Sequence, residues 1–325
     1  MVDSFGRQIN YLRLSITDRC NLRCFYCTHW GSWEKLPAPE ILRYEEFLRL
    51  ARVAAQVGLN KIRVTGGEPL MRRGVVDFLG NLKEVTGVEE VCLTTNGLLL
   101  AEMAADLYAA GLRHLNVSLD TLKRDRYRQL TGSDNLLQVR AGLARATDLG
   151  FRPLKLNFVV LKGINDDELG DFALLARDYP WQVRFIEFMP TVSQRRWSHH
   201  FLPMAEVLVR LAALGPMETL ARRPTDGPAR IVRLPGFAGE LGFISPMSQH
   251  QCSACNRLRL TCSGRLRPCL FAAPEIDLKG PLRQGATEAE LGEIFQEAIR
   301  RKPVAPKFNS LESPFSCRPM VTIGG

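Results

Sequence analysis

At 325 residues, 46% of them apolar, the chain is long enough for one large α/β domain plus an appendage. No apolar run approaches the roughly 18 residues of a bilayer span, and the start MVDSFGRQINYLRLS carries an acid and no apolar signal core, so a cytoplasmic protein without a membrane segment is expected. The net charge of +9 fits a solvated surface or a basic cavity for a polyanion such as a triphosphate, and the spread of Lys and Arg along the chain, away from interleaved aromatics, argues against nucleic acid.

The first strand-like run covers 9–17. The loop after it reads CNLRCFYC, with Cys20, Cys24 and Cys27 at C-x3-C-x2-C spacing and Tyr26 just before the last cysteine. Three thiolates this close can reach one iron–sulfur cube but hold only three of its four irons. An open iron can bind and reduce a small molecule, which points to chemistry and not merely electron storage. Residues 43–57 have helix period, with Leu48, Ala51, Val53, Ala54 and Val57 on an apolar face. Strand-like runs recur at 61–67, 89–95, 114–120, 153–161 and 182–190, and helix-period stretches at 74–85, 101–110, 136–149 and 167–177. This alternation predicts an α/β fold with a parallel sheet and right-handed crossovers, an incomplete (β/α)6 barrel related to the TIM barrel.

Function in such folds sits at the carboxyl ends of the strands. Gly66-Gly67-Glu68-Pro69 follow the second strand, Thr94-Thr95-Asn96-Gly97 the third, Ser118-Leu119-Asp120 close the fourth and Met189-Pro190 the sixth. Arg13, Arg63 and Lys155 lie within apolar strands, as do Lys61 and Arg184. A cation there is costly to bury unpaired, so these side chains are expected to face a polar cavity.

After a helix over 203–214 the chain turns rich in Gly, Pro and Arg, with short strands at 230–234, 240–244, 258–261 and 265–267, a last helix over 287–301 and an irregular tail. A boundary within 215–225 divides the chain into 1–220 and 221–325. Cys252, Cys255 and Cys269 form a second triplet, C-x2-C-x13-C. It suits a second cluster or a zinc ion with Cys262 or His250 as fourth ligand. Nine cysteines, an odd number clustered at ligand spacing, do not read as a disulfide framework. Cys92 and Cys317 read as buried or incidental thiols, and His199-His200 as part of a solvated loop. Arg257 and Arg259 alternate in NRLRL and share one strand face, which suits a phosphate or guanine acceptor or, equally, a basic edge strand.

The triplet followed by GGEP resembles the radical S-adenosylmethionine superfamily. The strings SFGRQINYLRLSITDRCNLRCFYC, KIRVTGGEPLMRR, LTTNG, LNVSLDTL, VRFIEFMP, FISPMSQHQCSACNRLRLTCSGRLRPCLF and the final IGG together resemble the GTP 3′,8-cyclase family, which opens molybdenum cofactor biosynthesis. The resemblance runs from Asp3 to Gly325. It implies two [4Fe–4S] clusters, held by Cys20, Cys24 and Cys27 and by Cys252, Cys255 and Cys269. S-adenosylmethionine would bind at the first and be cleaved to a radical that takes the 3′ hydrogen of GTP, whose ribose carbon then attacks C8. Tyr26, Gly67, Ser118 and Met189 match cofactor contacts. Arg13, Arg63, Thr94, Lys155, Arg257 and Arg259 match substrate contacts, joined by Lys61 and Arg184. The Gly324-Gly325 tail would enter the active site, with Arg318 and Met320 in its anchor. Partners implied are GTP, an electron donor and, downstream, cyclic pyranopterin monophosphate synthase, for a monomer or homodimer. Two features depart from the family pattern: Thr28-His29-Trp30 replace the usual Met-Pro after the first triplet, and Cys262 replaces a small residue. A radical enzyme acting on a peptide, and a non-catalytic metal or nucleotide-binding protein, are the rival readings. NRLRL and the terminal glycines oppose the first; Tyr26 with GGEP opposes the second.

Overall fold

The computed structural model describes residues 1–28, 33–191, 194–221, 226–249, 252–271, 275–305 and 320–324. The strands are β1 Tyr11–Ser15, β2 Lys61–Thr65, β3 Glu90–Thr95, β4 His114–Ser118, β5 Leu154–Val160, β6 Gln182–Glu187, β7 Glu218–Thr219, β8 Arg230–Arg233, β9 Glu240–Ile244, β10 Arg257–Leu260, β11 Arg265–Arg267 and β12 Ile276–Asp277. All belong to one sheet, in the order β12-β11-β10-β1-β2-β3-β4-β5-β6-β9-β8-β7. From β10 through β9 every pairing is parallel, and the outer pairings are antiparallel. The outermost strands, β12 and β7, do not pair with each other, so the barrel stays open. The six β/α units expected from the sequence are present. Two strands from the last third of the chain, β9 and β10, extend them in parallel at opposite edges. The division at residue 220 falls between β7 and β8, which pair with each other.

Helices cover the outer face. Tyr44–Gln56, Val75–Lys83, Leu100–Ala109, Leu136–Asp148 and Leu169–Asp178 lie close to the expected ranges. Arg124–Thr131 and Gln194–His200 are additions, the latter replacing the loop expected around His199-His200. His200 Nδ1 lies 3.0 Å from the Lys162 carbonyl. Among the described residues no helix is long and apolar enough to cross a membrane.

Strand alternation separates core from cavity. Leu12, Leu14, Ile62, Val64, Leu115, Val117, Leu154, Leu156, Val183 and Phe185 are buried in the core beneath the helices. Their neighbours Arg13, Lys61, Arg63, Asn116, Lys155 and Arg184 point to the opposite face, which lines a cavity of about 360 Å³. A parallel sheet buried on both faces reads as a continuous apolar run. This one alternates because its concave face is polar.

Helix Glu288–Arg300 packs on Tyr44–Gln56, where Gly292 faces Val53 and Val57. The Glu46 carboxylate accepts from the Arg43 amide at 2.6 Å and pairs with Arg283 at 2.7 Å, tying residues near the C-terminus to the first β/α unit.

Candidate active site

Both cysteine triplets line the one cavity. The loop from β1 and the short helix Phe25–Thr28 carry the first. The Cys24 carbonyl accepts from the Cys27 and Thr28 amides, each at 2.9 Å, and the Leu22 amide donates to Cys20 Sγ at 3.4 Å. Thr28 is buried with its hydroxyl on the Cys24 carbonyl at 3.2 Å, whereas His29 and Trp30 lie outside the described residues. Burial pushes the Cys20 and Cys27 thiols up to about 11 and about 12. A metal bound by these thiols would have to displace their protons.

Gly66 and Gly67 have a reason within the protein. A Cβ on Gly66 would stand 2.7 Å from the Thr17 carbonyl oxygen, and one on Gly67 would stand 2.2 Å from that of Arg19. The backbone of β2's loop docks there, with Gly67 N on Thr17 O and Glu68 N on Arg19 O, both at 2.7 Å. Glu68, buried, accepts from the Leu70 amide at 3.0 Å, the Thr95 hydroxyl at 2.8 Å and the Asn96 amide at 2.7 Å. Burial raises its carboxyl to about 7 against the pull of those bonds. Glu68 thus locks the loop after β2 to that after β3. Glu68→Ala is expected to lower the unfolding free energy by about 3 kcal/mol, measured by urea denaturation, with a smaller loss in Glu68→Gln.

Tyr26 donates its hydroxyl to Asp120, whose other oxygen accepts from the Val159 amide at 2.8 Å. Burial lifts Asp120 to about 6. Ser118 and Met189 line the same wall.

Arg13, Lys61, Arg63, Thr94, Lys155, Arg184, Arg257 and Arg259 all face the cavity. Arg63 donates to the Tyr11 hydroxyl and, at 3.3 Å, to Thr94. Lys61 pairs with Glu90 at 2.7 Å, and Arg184 donates to Gln182 at 2.7 Å. Burial, then the charges of Arg184, Arg63 and Lys61, push Lys155 down to about 6. Burial lowers Arg13 and Arg184 to about 10. Arg13 and Arg259 both donate to the Gly324 carbonyl, at 3.3 and 3.1 Å, and Met320 lines the cavity. Gly325 and Arg318 lie outside the described residues.

The second triplet sits on a turn, Cys252–Ala254, and on the loop after β11. Arg257 donates to Cys255 Sγ at 3.9 Å. Burial raises the Cys255 thiol, but the charges of Arg257 and Lys302 prevail and bring it to about 6. Cys262 is fully buried away from the cavity, its thiol pushed up to about 12 by burial, so it is no fourth ligand. His250 lies outside the described residues.

Several residues escaped the sequence reading. Tyr11 lies under Lys61 and Arg63, its ring centroid 5.2 and 5.9 Å from their charges. Asn157 lines the cavity, and its Oδ1 has no hydrogen-bond partner among the described residues. Glu90 and His114 cluster at the amino ends of β3 and β4 around Cys92, buried as expected from the sequence, whose Sγ lies 3.0 Å from Glu90 and 3.9 Å from His114 Nδ1. Bonds to Cys92 and Glu90 raise His114 to about 9. The only sequence signal for these was their odd place in the strand alternation.

Residues 14–176 match the family model of the Radical SAM superfamily, and residues 181–308 match Molybdenum Cofactor Synthesis C. A GTP 3′,8-cyclase of Moorella thermoacetica is 49% identical over 326 residues, covering 100% of both chains. The chain belongs to the GTP 3′,8-cyclase family. Another member, from Geobacter sulfurreducens, is 45% identical over 329 residues, covering 100% of this chain and 99% of that one. Streptococcus suis SuiB bound to S-adenosylmethionine aligns with a TM-score of 0.55 at 15% identity, over 88% of this chain and 68% of that chain, a likeness of fold alone.

The cofactors of a GTP 3′,8-cyclase are two [4Fe–4S] clusters and S-adenosylmethionine, and the donor sets fit them. Each triplet places three free thiols on the cavity. Within each triplet the thiols act on one another electrostatically, Cys24 with Cys20 and Cys27, and Cys252 with Cys255 and Cys269. No described thiol stands ready to complete either set to four. That donor set leaves one iron of a cube open.

Proposed function

We propose that the chain converts GTP to (8S)-3′,8-cyclo-7,8-dihydroguanosine 5′-triphosphate, the first step of molybdenum cofactor biosynthesis. The observation that carries the reading is one cavity lined by both cysteine triplets and by a set of strand-borne cations. When bound, the first cluster and S-adenosylmethionine supply the one-electron chemistry that opens the ribose C3′–H bond. The protein orients the reactants and excludes water. Cys20, Cys24 and Cys27 hold the first cluster. Gly67, Tyr26, Ser118 and Met189 seat S-adenosylmethionine, with Asp120 fixing the Tyr26 ring. Arg13, Lys61, Arg63, Lys155 and Arg184, with the Thr94 hydroxyl, bind GTP, the charges of the cations matching its phosphates better than a peptide backbone. Cys252, Cys255 and Cys269 hold the second cluster, beside which Arg257 and Arg259 bind purine or phosphate acceptors. Gly324 holds Arg13 and Arg259 in register. Residues 1–220 thus supply the radical machinery and 221–325 the far wall. A cytoplasmic setting, an external one-electron donor and delivery of product to cyclic pyranopterin monophosphate synthase complete the proposal.

The direct test is an anaerobic assay with GTP, S-adenosylmethionine and a strong reductant, read by mass spectrometry. An isomer of GTP is the expected product; 5′-deoxyadenosine without it would overturn the substrate assignment.

Lys155 gives a second expectation. Its pKa of about 6 leaves it mostly neutral at pH 7.5 in the free cavity. A triphosphate favours the charged form and raises that pKa, so binding takes up a proton. The contribution of Lys155 to affinity is then fully present below pH 6 and weakens as pH rises toward the pKa of the bound state. Calorimetry at pH 7.5 in buffers of different ionisation enthalpy should show net proton uptake, lost in Lys155→Met.

A further inference from the structure

Lys302 follows the helix Glu288–Arg300, where a lysine ordinarily complements the helix end in water. Here it is 3% exposed and lines the cavity. Its Nζ donates to the Arg257 carbonyl at 2.7 Å and the Pro268 carbonyl at 2.8 Å. Arg257 lies two residues after Cys255, and Pro268 directly precedes Cys269. An ammonium has three N–H donors. Two of these sit on carbonyls that flank Cys255 and Cys269, so the charge stands beside both thiols. Arg7 fixes the same corner, donating to the Lys302 carbonyl at 3.3 Å and the Cys252 carbonyl at 3.0 Å while paired with Asp3 at 2.6 Å.

Carbonyls satisfy the protons of a buried ammonium but do not neutralise its charge. The neighbouring Arg257 and Arg259 are cations too. The carboxylates lining the cavity are engaged elsewhere: Glu68 by the loops after β2 and β3, Asp120 by Tyr26, and Glu187 by the amides of Met204, Met247 and Ser248. Among the described residues, the negative charge left to balance Lys302 is that of the cysteine triplet.

We propose that Lys302 is a positioning residue of the second cysteine triplet: it ties both chain segments of the triplet together and, through its buried charge beside them, raises the reduction potential of the cluster held there. The proposal rests on reading that triplet as a cluster site. Hydrogen bonds to sulfur and local net charge are among the main determinants of an iron–sulfur potential.

The test uses the full chain carrying Cys20→Ala, Cys24→Ala and Cys27→Ala, so that one cluster remains. Its midpoint potential is followed by electron paramagnetic resonance with Lys302, Lys302→Arg and Lys302→Met. Iron should stay at about four per chain in all three. Lys302→Met should shift the one-electron reduction equilibrium at least tenfold toward the oxidised form, about 59 mV, and Lys302→Arg should shift it less. An unchanged potential in Lys302→Met with iron retained would overturn the proposal. Should that variant lose its iron, Lys302→Gln, which keeps a donor without the charge, serves in its place, and an unchanged potential there overturns it equally. A parent protein that assembles no cluster at all would overturn the reading of the triplet itself.

Discussion

Cys20→Ala is expected to abolish formation of 5′-deoxyadenosine and to lower iron from about eight to about four per chain after anaerobic reconstitution. The size of the effect follows from the lack of a substitute. Cys20 receives the Leu22 amide at 3.4 Å and the Asn96 side chain at 3.8 Å, so its sulfur is held in place before any metal arrives. Of the other described thiols, Cys262 is sealed away from the cavity and Cys92 is bonded to Glu90. Two remaining thiols leave a cube short of a ligand, and water is a poor replacement for thiolate. The second triplet is independent of this change and should keep its iron. Persistent 5′-deoxyadenosine in this variant would refute the role given to the first triplet.

Removal of Gly324 and Gly325 is expected to leave both clusters and S-adenosylmethionine cleavage intact while lowering cyclised product by at least about 100-fold, the scale of an ångström's misplacement of a reacting group. Arg13 and Arg259, in register on adjacent strands, both donate to the Gly324 carbonyl. Without that acceptor two buried guanidinium groups repel each other and lose their common anchor. Gly324 has φ +78°, and a Cβ there would lie 3.0 Å from the Ser15 Cβ and the Thr65 hydroxyl oxygen. Gly324→Ala should therefore show a weaker form of the same defect, from a left-handed backbone strained by about 1 kcal/mol. Liquid chromatography of 5′-deoxyadenosine and product side by side measures the uncoupling, and normal product yield would remove the tail from the mechanism.

The strands were legible because cations alternate with aliphatics, as in YLRLS, KIRVT and RLRL, and that alternation carried both the sheet and the cavity face. Pairing was not legible. Nothing local in β10 says that it joins β1, since that contact depends on residues far apart in sequence. Helix Arg124–Thr131 was missed because Tyr127, Leu130 and Thr131 are its sole buried residues, too few for a visible apolar stripe. The cysteine triplets, the glycine pair and the strand cations could be named from spacing and resemblance. Lys302 could not, since a lysine after a helix is ordinary until the chain folds back over Cys255. Glu68 was visible only as part of GGEP, and its lock on Asn96 needs two loops brought together in space.

The pairing of β1 with β10 also sets an order of events during synthesis. Asn10 and Asn256 bond side chain to side chain across 246 residues of sequence. At about 5–20 residues per second, a ribosome delivers that partner tens of seconds after β1 has emerged. Until then one edge of β1 is unpaired, and exposed strand edges invite association with other chains. The loop carrying Cys20, Cys24 and Cys27 hangs from that waiting strand. During that interval the first triplet sits on a half-built wall, and the second triplet has not yet been made.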